Sequence, residues 1–324
     1  MKPPYNITAK ILTLVSSISE KIGEINSLHL SKPPIELRKR NRIKTIQSSL
    51  EIEGNTLSVE QITAIYENKR VLGPQKDILE VKNAIAIYDK LNEFEPYSFN
   101  SFCKAHRILM DGLIESPGKL RNKSVGIVKG SKLAHIAPPS EMLKSLMNEL
   151  FNYLKNDNNL LLIKSCVFHY ELEFIHPFID GNGRVGRLWQ TVILMDKYSV
   201  FEYLPVEALI KQKQKEYYEV LSKSDKSGES TLFVEFMLEI IEESLEELLK
   251  MQNVALTNLD RINIYSSIIK DEFFNRKDYL RNFKEISSAT ASRDLQYAVE
   301  NDILEKFGDK NTTKYKYKKK TNKN

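Results

Sequence analysis

One segment, HPFIDGNGRVGR from His176 to Arg187, restricts what this chain can fold into more than any other. Gly181 and Gly183 flank Asn182, and apolar Leu188, Trp189, Val192 and Ile193 follow at helical spacing, so a permissive turn feeds directly into a helix. The backbone of such a turn can curl until successive N–H groups face one point, where the helix N-terminus also favours negative charge. The expected product is a phosphate cradle built from Gly181, Asn182 and Gly183. Arg184 and Arg187 lie three apart and project from neighbouring positions of the first turn toward one anion. His176 supplies a base, and Asp180 a hard oxygen ligand for Mg2+.

The 324 residues, 41% hydrophobic and 28% charged, suffice for a sizeable core and two or three domains. No run approaches the roughly 18 apolar residues of a membrane span. The opening MKPPYNITAKILTLVSSISEKIGE has no basic stretch feeding a long apolar one, so a cytoplasmic protein with no membrane partner is expected. Cys103 and Cys166 stand apart without metal-like neighbours and read as buried thiols. The net charge of +5 is uneven: Lys306 to Asn324 holds eight Lys and one Asp, which leaves about −2 for everything before it. That tail reads as a solvated end or as a phosphate-contacting arm.

Helical periodicity predicts a mainly α chain. The expected helices run from about Ile7 to Leu28, Ile35 to Leu50, Ile78 to Phe94, Asn100 to Met110, Glu141 to Leu154, Leu160 to Phe174, Leu209 to Leu221 and Thr231 to Met251. Ser58 is placed to cap a further helix. In the fifth, Met142, Leu146, Leu150 and Leu154 form the core stripe; the last carries an acidic face from Glu235 to Glu247. Val125 and Ile127 alternate before the turn-like Lys129-Gly130-Ser131-Lys132, which predicts a β-hairpin. His169 and Glu173, four apart, suggest zinc only weakly, because the His-Glu-x-x-His order is absent; His169 suits helix packing and Trp189 the core.

The segment from His176 resembles the signature of the Fic family, His-x-Phe-x-Asp/Glu-Gly-Asn-Gly-Arg-x-x-Arg, with every defined position filled by His176, Phe178, Asp180, Gly181, Asn182, Gly183, Arg184 and Arg187. SSLEIEGN, at the end of the second helix, is similar to the family's inhibitory motif as Ser49, Glu53 and Gly54. Ser49 and Glu53 share a helix face, so the hydroxyl is expected to steady the carboxylate while Gly54 ends the helix. The hairpin resembles the family's target-docking flap, with Val125, Gly126, Ile127 and Val128 on its edge. Tyr217 and Tyr218 resemble the aromatic wall that stacks on adenine, one serving and the other packing; Asp225 stands near where the family often has Asn.

The resemblance implies protein adenylylation, with AMP passing from ATP to a Ser, Thr or Tyr hydroxyl of a target protein, or of the enzyme itself. In that mechanism His176 is the general base and Asp180 holds Mg2+. The cradle with the Asn182 side chain contacts phosphate, Arg184 pairs the β-phosphate, and Arg187 clamps the γ-phosphate unless Glu53 occupies it. Removal of AMP by water on the same site, and a nucleotide-sensing DNA-binding regulator, are the alternatives. Residues 257–324 read as three helices and a two-stranded wing around Gly308, similar to a winged helix-turn-helix, in which Thr290, Ser292 and Arg293 would read DNA. The expected division is an inhibitory helical region over 1–95, a catalytic core over 96–254 and a winged-helix-like domain with a basic tail over 255–324. A homodimer is left open.

Overall fold

The computed structural model describes residues 3–28, 33, 35–123, 126–129, 132–250, 257–269, 272–283, 286–309 and 312–318. Two compact units divide the chain, Met1–Pro33 with Leu37–Met251, and Pro34–Glu36 with Gln252–Asn324. The regions expected as inhibitory and catalytic thus belong to one compact unit.

In the first unit, α1 (Ala9–Ser27) is capped by Thr8, whose side chain accepts from the Ile11 N–H. Its buried stripe Ile11, Leu14, Val15, Ile18, Ile22 and Ile25 lies on α11 (Thr231–Lys250). The acidic face of α11 has a partner there: Lys10 reaches Glu239 at 2.7 Å, and Lys21 reaches Glu242 at 3.1 Å and Glu246 at 3.3 Å. Partly exposed pairs of this kind fix register more than they stabilise.

The centre is α7 (Leu161–Ile175), buried on nearly every side, as expected of a helix apolar all round. It packs on α8 (Asn182–Met195), α6 (Leu143–Asn156) and α11. Phe102 of α5 (Phe99–Leu109) sits at the middle of an aromatic cluster with Phe151, Phe168, Phe178 and Trp189, and Trp189 is fully buried. Around this core run α2 (Ile35–Ile52), α3 (Val59–Tyr66, with Ser58 and Gln61 forming a capping box) and α4 (Gln75–Tyr88).

Three local expectations change. A 3-10 turn over Ser140–Met142 precedes α6 and shifts its phase, so Met142 is exposed and the buried stripe is Leu143, Met147, Leu150, Phe151 and Leu154. The helix expected over Leu209 to Leu221 is two, α9 (Val206–Gln212) and α10 (Gln214–Ser227), separated where Lys213 leaves helical angles. Cys103 is only half-buried; Cys166 is buried.

The hairpin pairs β1 (Gly126–Lys129) with β2 (Lys132–Ile136) antiparallel, with a register shift between Ile127 and Val128. Val125 lies outside the described residues. Gly126, Ile127 and Val128 are on β1, and no further strand joins either edge among the described residues.

The second unit holds α12 (Asn258–Ile269), α13 (Arg276–Asn282), α14 (Ser288–Glu300) and a ribbon of β3 (Leu304–Phe307) with β4 (Lys314–Tyr317), to which Phe274 adds one bridge at Tyr315. Ile262, Tyr265, Phe274, Tyr279, Phe283, Leu295 and Leu304 fill its core. On α14, Arg293 is exposed and donates to Thr290 Oγ1, while Ser292 accepts from Arg276.

Candidate active site

The site begins where α7 stops. His176 takes left-handed angles, φ 50° and ψ 61°, and caps the helix through its N–H to the Leu172 carbonyl. Few non-glycine residues rest there, so the turn needs support. Arg121, 5% exposed, gives it: Nε donates to the His176 carbonyl at 2.7 Å, Nη2 to the Pro138 carbonyl at 2.6 Å, and its N–H to the Pro177 carbonyl at 2.9 Å. The His176 ring itself is half-buried.

His106 braces the next turn. Its ring stacks on Phe178 at 3.6 Å, and its Nδ1 accepts from the Gly118 N–H. The proton therefore sits on Nε2, which donates to the Asp180 carbonyl at 2.9 Å. Burial lowers the His106 pKa to about 4, which keeps it neutral. Gly181 follows with φ 83°, and a Cβ there would stand 2.6 Å from Met110 Sδ, so only glycine fits. The Asn182 side chain corrects one expectation. Its Oδ1 accepts from the Phe178 N–H and its Nδ2 donates to the Phe178 carbonyl, both at 2.9 Å. It shapes the loop instead of facing a phosphate, and only its backbone belongs to the cradle.

α8 starts at Asn182, and its opening turn holds a carboxylate. A Cβ on Gly183 would lie 2.6 Å from Glu53 Oε1 and 3.0 Å from Arg187 Nη1. Glu53 Oε1 accepts from Arg187 Nη2 at 2.8 Å, and Arg187 is 3% exposed. Burial disfavours the Arg187 charge most strongly of any single cause, but Glu53, Tyr217 and Glu173 together raise its pKa. Ser49 corrects a second expectation: its Oγ accepts from Arg187 Nε at 3.2 Å and its carbonyl from Nη2 at 2.9 Å. Ser49 and Glu53 thus converge on Arg187. Beyond them the helix ends as expected, with Gly54 at φ 94° and the Asn55 N–H returning to the Leu50 carbonyl.

Arg184, 4% exposed, is paired twice, Nη1 with Glu80 Oε1 at 2.9 Å and Nη2 with Asp180 Oδ1 at 3.1 Å. Glu80 also accepts from Asn55 Nδ2 at 2.8 Å, which joins the turn after Glu53 to the arginine. Asp180 is 48% exposed at its side chain, and its Oδ1 additionally accepts from the Gly181 N–H.

Tyr217 does not offer a stacking face. It is 1% exposed, packs on Phe233 and Phe236, and its hydroxyl lies 3.2 Å from His169 Nε2. Tyr218 is half-buried with its ring edge-on to Tyr217. Asp225 Oδ1 accepts from Tyr170 Oη at 3.0 Å. His169 is buried, its Nδ1 is 2.8 Å from Gln190 Oε1, and burial lowers its pKa to about 3. It is a packing histidine. No group of three or more His, Cys, Asp or Glu suited to a metal occurs among the described residues.

His106, Arg121 and Glu80 escaped the sequence. Each acts across 55 or more residues, at Asp180, His176 and Arg184 respectively. No local spacing marks such partners.

A glycine-cradled helix N-terminus with two arginines inside it and a histidine at its lip defines a Fic-type site. The sequence profile of the Fic/DOC family matches residues 96–194. A crystal structure of a Fic family protein from Desulfovibrio desulfuricans is 38% identical, covers 99% of either chain and superposes with a TM-score of 0.76. This chain belongs to the Fic family. It is 27% identical over 257 residues to the protein adenylyltransferase Fic of Nematostella vectensis, covering 73% of this chain and 57% of that protein. It is 25% identical over 274 residues to the protein adenylyltransferase fic-1 of Caenorhabditis elegans, covering 78% of this chain and 52% of that one. The chain thus spans about half the length of these curated relatives.

Proposed function

We propose that this protein transfers AMP from ATP to a hydroxyl side chain of a target protein, and that Glu53 restrains the transfer. The observation that carries the reading is a carboxylate lodged in an anion cradle: Glu53 Oε1 lies against Gly183 and bonds Arg187. A place where one anion meets a guanidinium at a helix N-terminus can hold a phosphate with the same guanidinium and the N–H groups of that first turn.

His176, at the lip of the cradle, takes the proton of the incoming hydroxyl as it attacks the α-phosphorus. The N–H groups of Asn182 and Gly183 meet phosphate oxygens, Arg184 faces the β-phosphate as charge builds on the leaving pyrophosphate, and Arg187 clamps the γ-phosphate once Glu53 withdraws. Tyr218 lines the base, and β1 supplies a strand edge for the target backbone. Asp180 suits Mg2+, because its side chain is about half exposed and only its Oδ1 is committed. One carboxylate oxygen with phosphates and water is the usual protein share of such an ion, whose charge would offset that of the phosphates.

Incubation with α-labelled ATP and Mg2+, alone and in lysate, tests the reading. Label on protein supports it; label absent from every protein, with Glu53→Gly as well as the native chain, contradicts it. With water as nucleophile the same site would instead remove AMP, Glu53 directing the water, and release of AMP from a labelled protein separates the two. A DNA-binding role of the second unit draws on α14, whose Asp294 is turned inward on Arg261. A mobility-shift assay with and without residues 255–324 addresses it.

A further inference from the structure

Arg187 is held by a single element. Among the described residues its hydrogen bonds run to Ser49 Oγ, the Ser49 carbonyl and Glu53 Oε1, all within the Ser49-to-Glu53 end of the α2 segment. Any shift of that segment that clears the cradle strips a guanidinium 3% exposed of all three bonds at once. An uncompensated buried cation is costly, so a clamp that must survive this exchange needs another partner.

On a face that Glu53 does not line, Arg187 borders a mostly apolar cavity whose other polar residues are Gln190, Thr191 and Glu207. It offers about 10 Å³ to the centre of a water molecule, room for about one. Glu207 is 1% exposed; its Oε1 accepts from Tyr88 Oη at 2.9 Å, while its Oε2 is buried with no hydrogen-bond partner among the described residues. A lone buried carboxylate oxygen beside a cavity with room for one water is what an ordered water satisfies.

We propose that this cavity is a single-water site, and that its water joins Glu207 Oε2 to Arg187, which makes Glu207 the rear positioning residue of the phosphate clamp. The donor sense is consistent: the guanidinium donates to the water oxygen, and the water donates to the carboxylate. Burial raises the Glu207 pKa to about 7, against which its own backbone N–H, the Tyr88 hydroxyl from α4, Arg187 from α8 and Arg42 from α2 favour the ionised form; Ile241 from α11 is apolar. Arg187 would then keep its position while the group in front of it changes from a carboxylate to a nucleotide phosphate. This rests on the reading of Arg187 as the γ-phosphate clamp.

Two measurements test it. In a crystal structure that resolves solvent, a water within hydrogen-bond reach of both Glu207 Oε2 and the Arg187 guanidinium is expected; a dry cavity overturns the proposal. Calorimetric titration of ATP and ADP onto Glu53→Gly, alone and combined with Glu207→Leu or Glu207→Gln, reads the clamp. Glu207→Leu is expected to cut the preference for ATP over ADP by about tenfold with ADP affinity unchanged. Glu207→Gln, which keeps polar contacts to Tyr88 and the water, should stay within about threefold. An unchanged ATP-to-ADP ratio in Glu207→Leu, or an equal fall in both affinities, overturns the positioning role. Should Glu207→Leu fail to fold, Glu207→Gln and the crystal structure still decide. Absence of any preference for ATP in Glu53→Gly itself would instead fault the clamp reading, and the crystallographic result would still decide the water site.

Discussion

Arg187 and Arg261 are both buried arginines facing a carboxylate, and they are paired in opposite ways. Arg261 meets Asp294 with two parallel bonds, Nε to Oδ2 at 2.6 Å and Nη2 to Oδ1 at 2.8 Å, and Tyr279 Oη adds a third to the same carboxylate. Asp294 is 1% exposed, so that pair is closed. Arg187 receives one oxygen of Glu53, whose side chain is 29% exposed at the end of a helix. Forked, dry geometry makes a lasting tie, whereas a single bond to a carboxylate open to solvent leaves a partner that another anion can displace.

The largest expected effect separates chemistry from this exchange. In a Glu53→Gly background, His176→Ala should lower AMP incorporation by about 100- to 10,000-fold, because it removes the base and leaves the cradle. Nucleotide affinity measured alongside should change little. A parallel fall in affinity would mean that His176 shapes the anion site itself.

Next comes stability. Asp294→Ala leaves Arg261 buried without its partner and should cost about 3–5 kcal/mol, whereas Glu53→Gln should cost under about 1 kcal/mol. Urea unfolding of the full chain, followed by circular dichroism, compares them. Equal losses would erase the distinction between a closed and an open pair.

A smaller effect is expected from pH. Burial raises Glu171, Glu173 and Glu207 to about 7. The folded state therefore binds more protons than the unfolded one between about pH 4.5 and 7, and their contribution is lost as pH rises through that window. His106 and His169, lowered to about 4 and 3, act oppositely: their contribution is present above about pH 6.5 and is lost on acidification. Three carboxylates outweigh two histidines between about pH 4.5 and 6.5, so from these groups thermal midpoints should peak near pH 4.5 and fall toward pH 8, and Glu207→Gln should flatten the alkaline limb. A native chain whose midpoint keeps rising through pH 8 would contradict this. Smallest of all, removing residues 255–324 should change AMP incorporation by less than about threefold, since every signature residue lies in the first unit.

Much of this architecture was readable because its causes are local. The stripe of α1, the cap at Ser58, the turn at Gly54 and the turn at Gly181 that opens α8 each follow from residues within a few positions of one another. What escaped was set by distant partners or by one-residue phase changes. The 3-10 turn before Leu143 rotated the stripe of α6 away from Met142. Tyr217 and Tyr218 are indistinguishable in sequence, and only the position of His169 and Phe233 determines which one is buried. Asn182 shows the same limit. Its place in the signature suggested a phosphate contact, yet Phe178, four residues earlier, claims both of its polar groups.

The central claim is that Glu53 and the nucleotide compete for Arg187 and the turn at Gly183. At about 4 Å and an effective dielectric near 20, a pair of unit charges attracts by roughly 4 kcal/mol before desolvation is subtracted. About a quarter of that surviving as net bias changes occupancy by roughly fivefold. The direct test is the rate of labelled AMP incorporation by the native chain and by Glu53→Gly, at saturating ATP and Mg2+. A rise of about fivefold or more is expected for Glu53→Gly, expressed in turnover more than in affinity, and Arg187→Ala should not reproduce it because it removes the clamp with its blocker. Equal rates would contradict the account and leave Glu53 as an ordinary residue at the end of a helix.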